Sequence, residues 1–206
     1  MTAMATQIPR GEIVETADHR VLMHGISWDH YELLLSMRSE RPMPRMAYLD
    51  GELELMTISR DHERLKCWIR SLAEVYMLHA RIAFGGYGSF TMKEAPERAG
   101  AEADQCYLIG RDQSKARWPD LAIEVNWTRG GIDKLEIYRR LRVREVWFWE
   151  DDEITVHSLR GDAYVSVPAS EVVSGIDFEL LAAFLDEPVM SDAIEKYRDA
   201  LQAKRA

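Results

Sequence analysis

Cysteine is nearly absent from the chain, with Cys67 and Cys106 the only two among 206 residues. They stand in no CxxC spacing, so a disulfide framework and a zinc knuckle both lack their residues, and a reducing compartment is expected. Long apolar runs are missing too. No stretch reaches the roughly 18 apolar residues of a membrane span, and the first twenty residues carry charges throughout instead of a signal-peptide core. A cytoplasmic protein with no membrane partner is the expectation. Positive charge is scarce as well: 26 Lys and Arg face 35 Asp and Glu, for a formal charge of −9. Such a chain repels phosphate at long range, so any contact with nucleic acid must be local.

What is present suits one core. Apolar residues at 47% and charged residues at 30% are globular proportions, and the length fits a single domain. Residues 1–20 are polar and aperiodic and read as an N-terminal arm, leaving residues 21–206 as the domain. No internal repeat is found.

Local signals place the elements. Ser27 stands before WDHYELLLSMRSE and predicts a capped helix to about residue 38, ended by RPMPR. AYLD-G-ELELMTI predicts a hairpin turning at Asp50-Gly51. Ser59 opens a second helix whose Leu65, Trp68, Leu72 and Val75 lie near helical spacing, with Gly85, Gly86 and Gly88 expected to stop it. Strands are expected at 87–93, 103–109, 119–126, 144–150, 153–159 and 163–167, with helices near 131–141, 177–185 and 191–204. This order predicts an α+β or mixed α/β fold with one central sheet flanked by helices.

The chemistry concentrates in AEADQCYLIG and WPDLAIEVNWTRGG. A hairpin turning near Ser114 brings Asp104 opposite Glu124, with Cβ atoms about 5 Å apart. Like charges so placed repel unless a proton or cation lies between them, and two hard carboxylates suit Mg²⁺. Lys134 follows in the first turn of the next helix, near the end of the strand that carries Glu124. Pro119-Asp120 spells a similar motif, but Asp120 lies about 13 Å from Glu124 along the strand and reads as a residue flanking the turn. Glu52 and Glu54 alternate with leucines and read first as a solvated face. For His62, near the start of its helix, a structural role weighs at least as much as a catalytic one. Trp147 and Trp149 read as core. The run from Lys134 to Arg144 is locally basic, either a solvated face with its own ion pairs or a phosphate-contacting patch.

The succession DGELELM, SRDHE opening a helix, GSFTMK, GAEADQCYLIG and WPDLAIEVNWTRGGIDKLEIYRRLRVREVWFW resembles the Uma-type restriction endonuclease family of the PD-(D/E)XK nuclease superfamily. The resemblance runs from about Ser27 to the strand around His157. It implies a restriction-endonuclease-like core with a central mixed or antiparallel sheet. It also implies a metal-dependent endonuclease acting on DNA, with Mg²⁺, or Mn²⁺ in its place, held by Asp104 and Glu124. Lys134 then corresponds to the catalytic lysine, moved from the strand onto the helix because Asn126 stands two after Glu124. Glu54 and His62 are supporting candidates, and Arg139 and Arg140 are candidate DNA contacts. Ala103 replaces the family's proline before the aspartate. A homodimer is expected, since cutting both strands of a duplex calls for two related sites, and no nucleotide cofactor is expected. The alternative reading is a catalytically silent module that keeps the scaffold for binding nucleic acid or protein.

Overall fold

Serine sets the start of the first two helices. Ser27 caps α1 (Trp28–Arg38), accepting from the His30 amide, and Ser59 caps α2 (Arg60–His79), accepting from the His62 amide. The computed structural model describes residues 17–110, 112–114, 116–125 and 131–204. Before α1 lies β1 (His19–Met23), and between the helices lie β2 (Arg45–Leu49) and β3 (Glu52–Thr57). After α2 come β4 (Phe84–Gly86), β5 (Thr91–Glu94), β6 (Ala99–Glu102), β7 (Gln105–Ile109) and β8 (Leu121–Val125). Then follow α3 (Lys134–Arg140), β9 (Glu145–Glu150), β10 (Glu153–Arg160), β11 (Ala163–Val167), α4 (Phe178–Ala182) and α5 (Met190–Ala203).

The mixed α/β class is as expected, but the strands form two sheets instead of one. The first runs β1-β3-β2-β6-β5 and is antiparallel throughout. The second runs β11-β10-β9-β8-β7-β4, with β8 and β9 parallel and α3 on the crossover between them. The chain visits the second sheet first at β4, returns to the first sheet for β5 and β6, and makes its last crossing at Ala103 and Asp104, the two residues between β6 and β7.

Alternation sorts the second sheet into two faces. Leu121, Ile123, Val125, Trp147 and Trp149 meet Leu65, Ile69, Leu72 and Ala73 of α2 and Leu181, Tyr197 and Leu201 of α4 and α5. Ala122, Val146 and Phe148 face the other way, toward Ile137 and Tyr138 of α3 and Ala99, Ala101 and Ala103. Fully buried Trp147, Leu121 and Tyr107 anchor the first of these cores, each contributing about 1.5–3 kcal/mol. A third cluster of Tyr31, Met46, Tyr48 and Leu53 seats α1 on the first sheet. There the Tyr31 ring lies where a Cβ on residue 100 would stand, which requires Gly100.

Two local expectations need correction. The glycines after α2 do not end it. Arg81 takes a left-handed conformation with φ of 58°, and the Ile82 amide donates back to the Met77 carbonyl at 2.9 Å, closing the helix before the first glycine. Gly85 and Gly86 instead belong to edge strand β4, paired with β7. Residues 1–16 of the expected arm lie outside the described residues, but its last two, His19 and Arg20, already belong to β1 and pair with Thr57 and Met56. Among the described residues no helix is long and apolar enough to cross a membrane.

Candidate active site

Register delivers the first pair. Gln105 pairs with Ile123, Cys106 with Ala122 and Tyr107 with Leu121, so one further step sets Asp104 level with Glu124 as the hairpin reading expects. The Val125 amide donates to Asp104 Oδ2 at 2.7 Å and fixes the aspartate at the seam between the sheets. Glu124 shares its face of β8 with Ala122 and therefore looks toward α3. Both carboxylates are buried, at 0% and 1% exposure.

The helix supplies the next two groups. Asp133 caps α3 by accepting from the Glu136 amide at 2.9 Å, which starts the helix at Lys134. Lys134 and Tyr138 lie one turn apart on one face. Lys134 Nζ donates to Glu124 Oε2 at 2.5 Å, and the Tyr138 hydroxyl donates to Oε1. The helix thus brings the Lys134 ammonium to Glu124 from outside the strand, while Asn126 itself lies outside the described residues.

On the other side, Asp104 Oδ1 accepts from His62 Nε2 at 2.9 Å and from the Arg45 guanidinium. The second ring nitrogen of His62 donates to Asp18 Oδ2 at 2.8 Å, and Asp18 Oδ1 accepts from the Ser59 amide. A ring with a carboxylate at each nitrogen is a double donor, the imidazolium form. Burial opposes that charge, but the hydrogen bonds to Asp104 and Asp18 outweigh it and push the His62 pKa up to about 9. Burial likewise works against ionised Asp104, yet His62, Arg45 and Lys134 hold it well below the ordinary carboxylate range. Burial lifts Glu124 above its ordinary value; Lys134 pulls it back and the charge of Asp104 adds to the lift. Three carboxyl groups, Asp18, Asp104 and Glu124, thus meet three basic side chains, His62, Arg45 and Lys134.

The other candidates scatter. Glu54 is not on a solvated face: at 2% exposure it accepts from the Ile132 amide at 3.1 Å, beneath the turn that leads into α3. That turn needs Gly131, where φ is 113° and a Cβ would strike the Glu54 carboxylate. Glu54 and Lys134 line a cleft of about 350 Å³ with Arg20, Glu150 and His157. Arg139 and Arg140 lie on the opposite face of α3 from Lys134 and Tyr138. Both bind Glu136, and Arg140 also reaches Asp50 at 2.6 Å and the Glu97 carbonyl. The ion-paired reading describes them as they stand. Asp120 accepts from the Ile109 amide and from Arg144, a turn-side role as expected. Trp147 and Trp149 are core.

Sequence reasoning missed Arg45, Asp18 and Tyr138. Tyr138 carried a readable signal, four residues after Lys134 on a predicted helix. Arg45 stood in a segment read only as a helix stop, and Asp18 in the presumed arm.

Among the described residues no group of three or more His, Cys, Asp or Glu converges as a metal cage. The pair that does meet, the hard carboxylates of Asp104 on the β6–β7 link and Glu124 on β8, fits Mg²⁺, which takes one or two protein carboxylates and keeps several waters.

The family profile described as "Uma2: Putative restriction endonuclease" matches residues 28–184. Among solved structures, the chain is similar to the crystal structure of "a putative nuclease belonging to DUF820" from Anabaena variabilis ATCC 29413, at 15% identity and a TM-score of 0.47. That likeness covers 73% of this chain and 98% of the other. No curated protein matches the chain. The profile spans α1 through α4 and takes in Glu54, His62, Asp104, Glu124 and Lys134, so by a match over most of its length the chain belongs to the Uma2 family.

Proposed function

We propose that the protein is a Mg²⁺-dependent endonuclease that hydrolyses DNA phosphodiester bonds. The observation that carries this reading is the in-register burial of Asp104 and Glu124 with Lys134 2.5 Å from Glu124. Asp104 and Glu124 would hold the ion, which when bound supplies Lewis-acid stabilisation of charge on the phosphate oxygens. His62 and Asp18 keep Asp104 ionised and fix its orientation. Tyr138 orients Glu124. Lys134 positions the attacking water and neutralises charge that develops on the phosphate.

An acidic protein needs a local site for a polyanion, and the cleft on the Arg45 side supports one. It has a volume of about 1160 Å³ and is lined by Arg38, Arg41, Arg45, Arg60, Lys66 and Lys93 against Glu32, Glu40, Glu63 and Glu102. Arg38 is bound to Glu102, Lys66 to Glu63 and Lys93 to Glu32, while Arg41 and Arg60 have no carboxylate partner among the described residues. These two arginines are the groups free to meet phosphates.

The second reading, a scaffold that binds without turnover, is favoured by the near-complete burial of both carboxylates. Plasmid cleavage separates the two. The parent with Mg²⁺ or Mn²⁺ is expected to nick supercoiled DNA, and EDTA or Glu124→Ala to abolish it. Cutting by an identically purified Glu124→Ala would sink the assigned site. Absence of cutting with Mn²⁺ binding intact would leave a metal site without its substrate, and absence of both would favour the scaffold.

A further inference from the structure

Basic side chains already occupy both carboxyl groups at the seam, Arg45 and His62 on Asp104 and Lys134 on Glu124, so a divalent ion that joins the two competes with a resident cation. One must give way, and the three are not equally free to leave. His62 is fully buried and held at both nitrogens by Asp18 and Asp104. Lys134 is anchored on the first turn of α3 and bonds Glu124 directly. Arg45 begins β2 and, although its side chain at 7% exposure is no more open than that of Lys134 at 11%, it forms one wall of the larger cleft, of about 1160 Å³ against about 350 Å³ beside Lys134. Its bond goes to Asp104 Oδ1, the oxygen that His62 already satisfies. Withdrawal of Arg45 would thus free acceptor capacity without orphaning the aspartate. A guanidinium is also the more weakly hydrated cation and finds phosphate partners readily once in the cleft.

Building on the metal-dependent reading above, we propose that Arg45 is the resident countercation of the carboxylate pair, and that a divalent ion binds Asp104 and Glu124 as the Arg45 guanidinium withdraws into the cleft. Ion and guanidinium compete for the same negative charge, and their coupling is reciprocal: loss of one strengthens the other, and arrival of one loosens the other. Arg45 is on this account a positioning residue that sets metal affinity.

Calorimetric titration with Mn²⁺ tests the inference on the parent, Arg45→Met and Arg45→Lys at one fixed pH, with the fold followed by circular dichroism. Arg45→Met should bind Mn²⁺ about tenfold more tightly or better, and Arg45→Lys should stay close to the parent. A merely structural Arg45 would give the opposite, weaker binding that follows the loss of fold. A second readout needs no variant at this position. Labelling of Arg45 by phenylglyoxal, read by peptide mass spectrometry, should be slow in EDTA and faster on addition of Mn²⁺, with no acceleration in Glu124→Ala. Folded Arg45→Met with unchanged or weaker Mn²⁺ affinity, or labelling that ignores saturating Mn²⁺, overturns the inference and leaves the metal site standing. If neither parent nor Arg45→Met binds Mn²⁺, the metal-dependent reading falls, and this inference with it.

Discussion

Lys134 Nζ stands 2.5 Å from Glu124 Oε2 although the two residues belong to different elements ten positions apart. The ammonium reaches its place because a capped helix docks over the strand. Lys134→Ala is expected to lower the rate of plasmid cleavage about 100-fold or more, the range of a lost proton-handling or charge-stabilising group. Mn²⁺ affinity measured by calorimetry should stay the same or rise slightly, since a competing positive charge has gone. A large loss of metal binding would show that Lys134 is misassigned.

His62 gives a dependence of stability on pH. Its folded pKa of about 9 lies above the ordinary 6.5, so the protonated ring is favoured by folding. The contribution is fully present below about 6.5 and is lost as pH rises through about 9, with an upper bound on the order of 3 kcal/mol. Metal-free protein in EDTA should therefore show a Tm that falls between pH 6.5 and 9.5. Replacement of His62 by Gln should flatten that slope, and a parent with pH-independent Tm over the window would refute the imidazolium assignment.

Glu145 is a buried carboxylate with no part in the proposed chemistry. It accepts from the Trp147 indole, the hydroxyls of Ser158 and Ser170, and the Glu171 and Val172 amides, tying the loop after β11 to the start of β9. Glu145→Ala leaves these donors without their partner and should cost about 2–4 kcal/mol in urea unfolding. Activity per folded molecule should not change.

The two sets of arginines separate by DNA affinity. Arg41→Glu and Arg60→Glu in the Glu124→Ala background should each weaken binding to a short duplex about 3- to 10-fold at low salt and reduce the salt slope. Arg139→Glu, on the far side of α3, should change affinity less than about twofold. Fluorescence anisotropy decides, and a reversed order would move the DNA path to α3.

Legibility followed sequence distance. The Asp50-Gly51 turn, the Ser27 and Ser59 caps and the Asp104–Glu124 register are set by neighbours, and each was readable. Arg45 lies 59 positions from Asp104, and His62 lies 44 from Asp18; no periodicity encodes such meetings. Glu54 misled for a related reason. Alternation tells which residues share a face of a strand, but the Ile132 turn that covers this face comes from a segment 78 positions away. The division into two sheets was hidden similarly, since two residues at Ala103-Asp104 leave no compositional mark of a change of sheet.

That change of sheet governs when the site comes into being during synthesis. Asp104 is carried by the link between the sheets, its partners Asp18, Arg45 and His62 precede it, and Glu124, Lys134 and Tyr138 come after. No amino-terminal fragment that stops short of α3 owns an assembled centre, and no fragment that begins after β2 keeps the Arg45 bond to Asp104. A ribosome that has delivered only the first sheet and α2 has made a chain that lacks Glu124, Lys134 and Tyr138. On the proposed endonuclease reading, the capacity to cut would arise only when the crossover helix has emerged and docked.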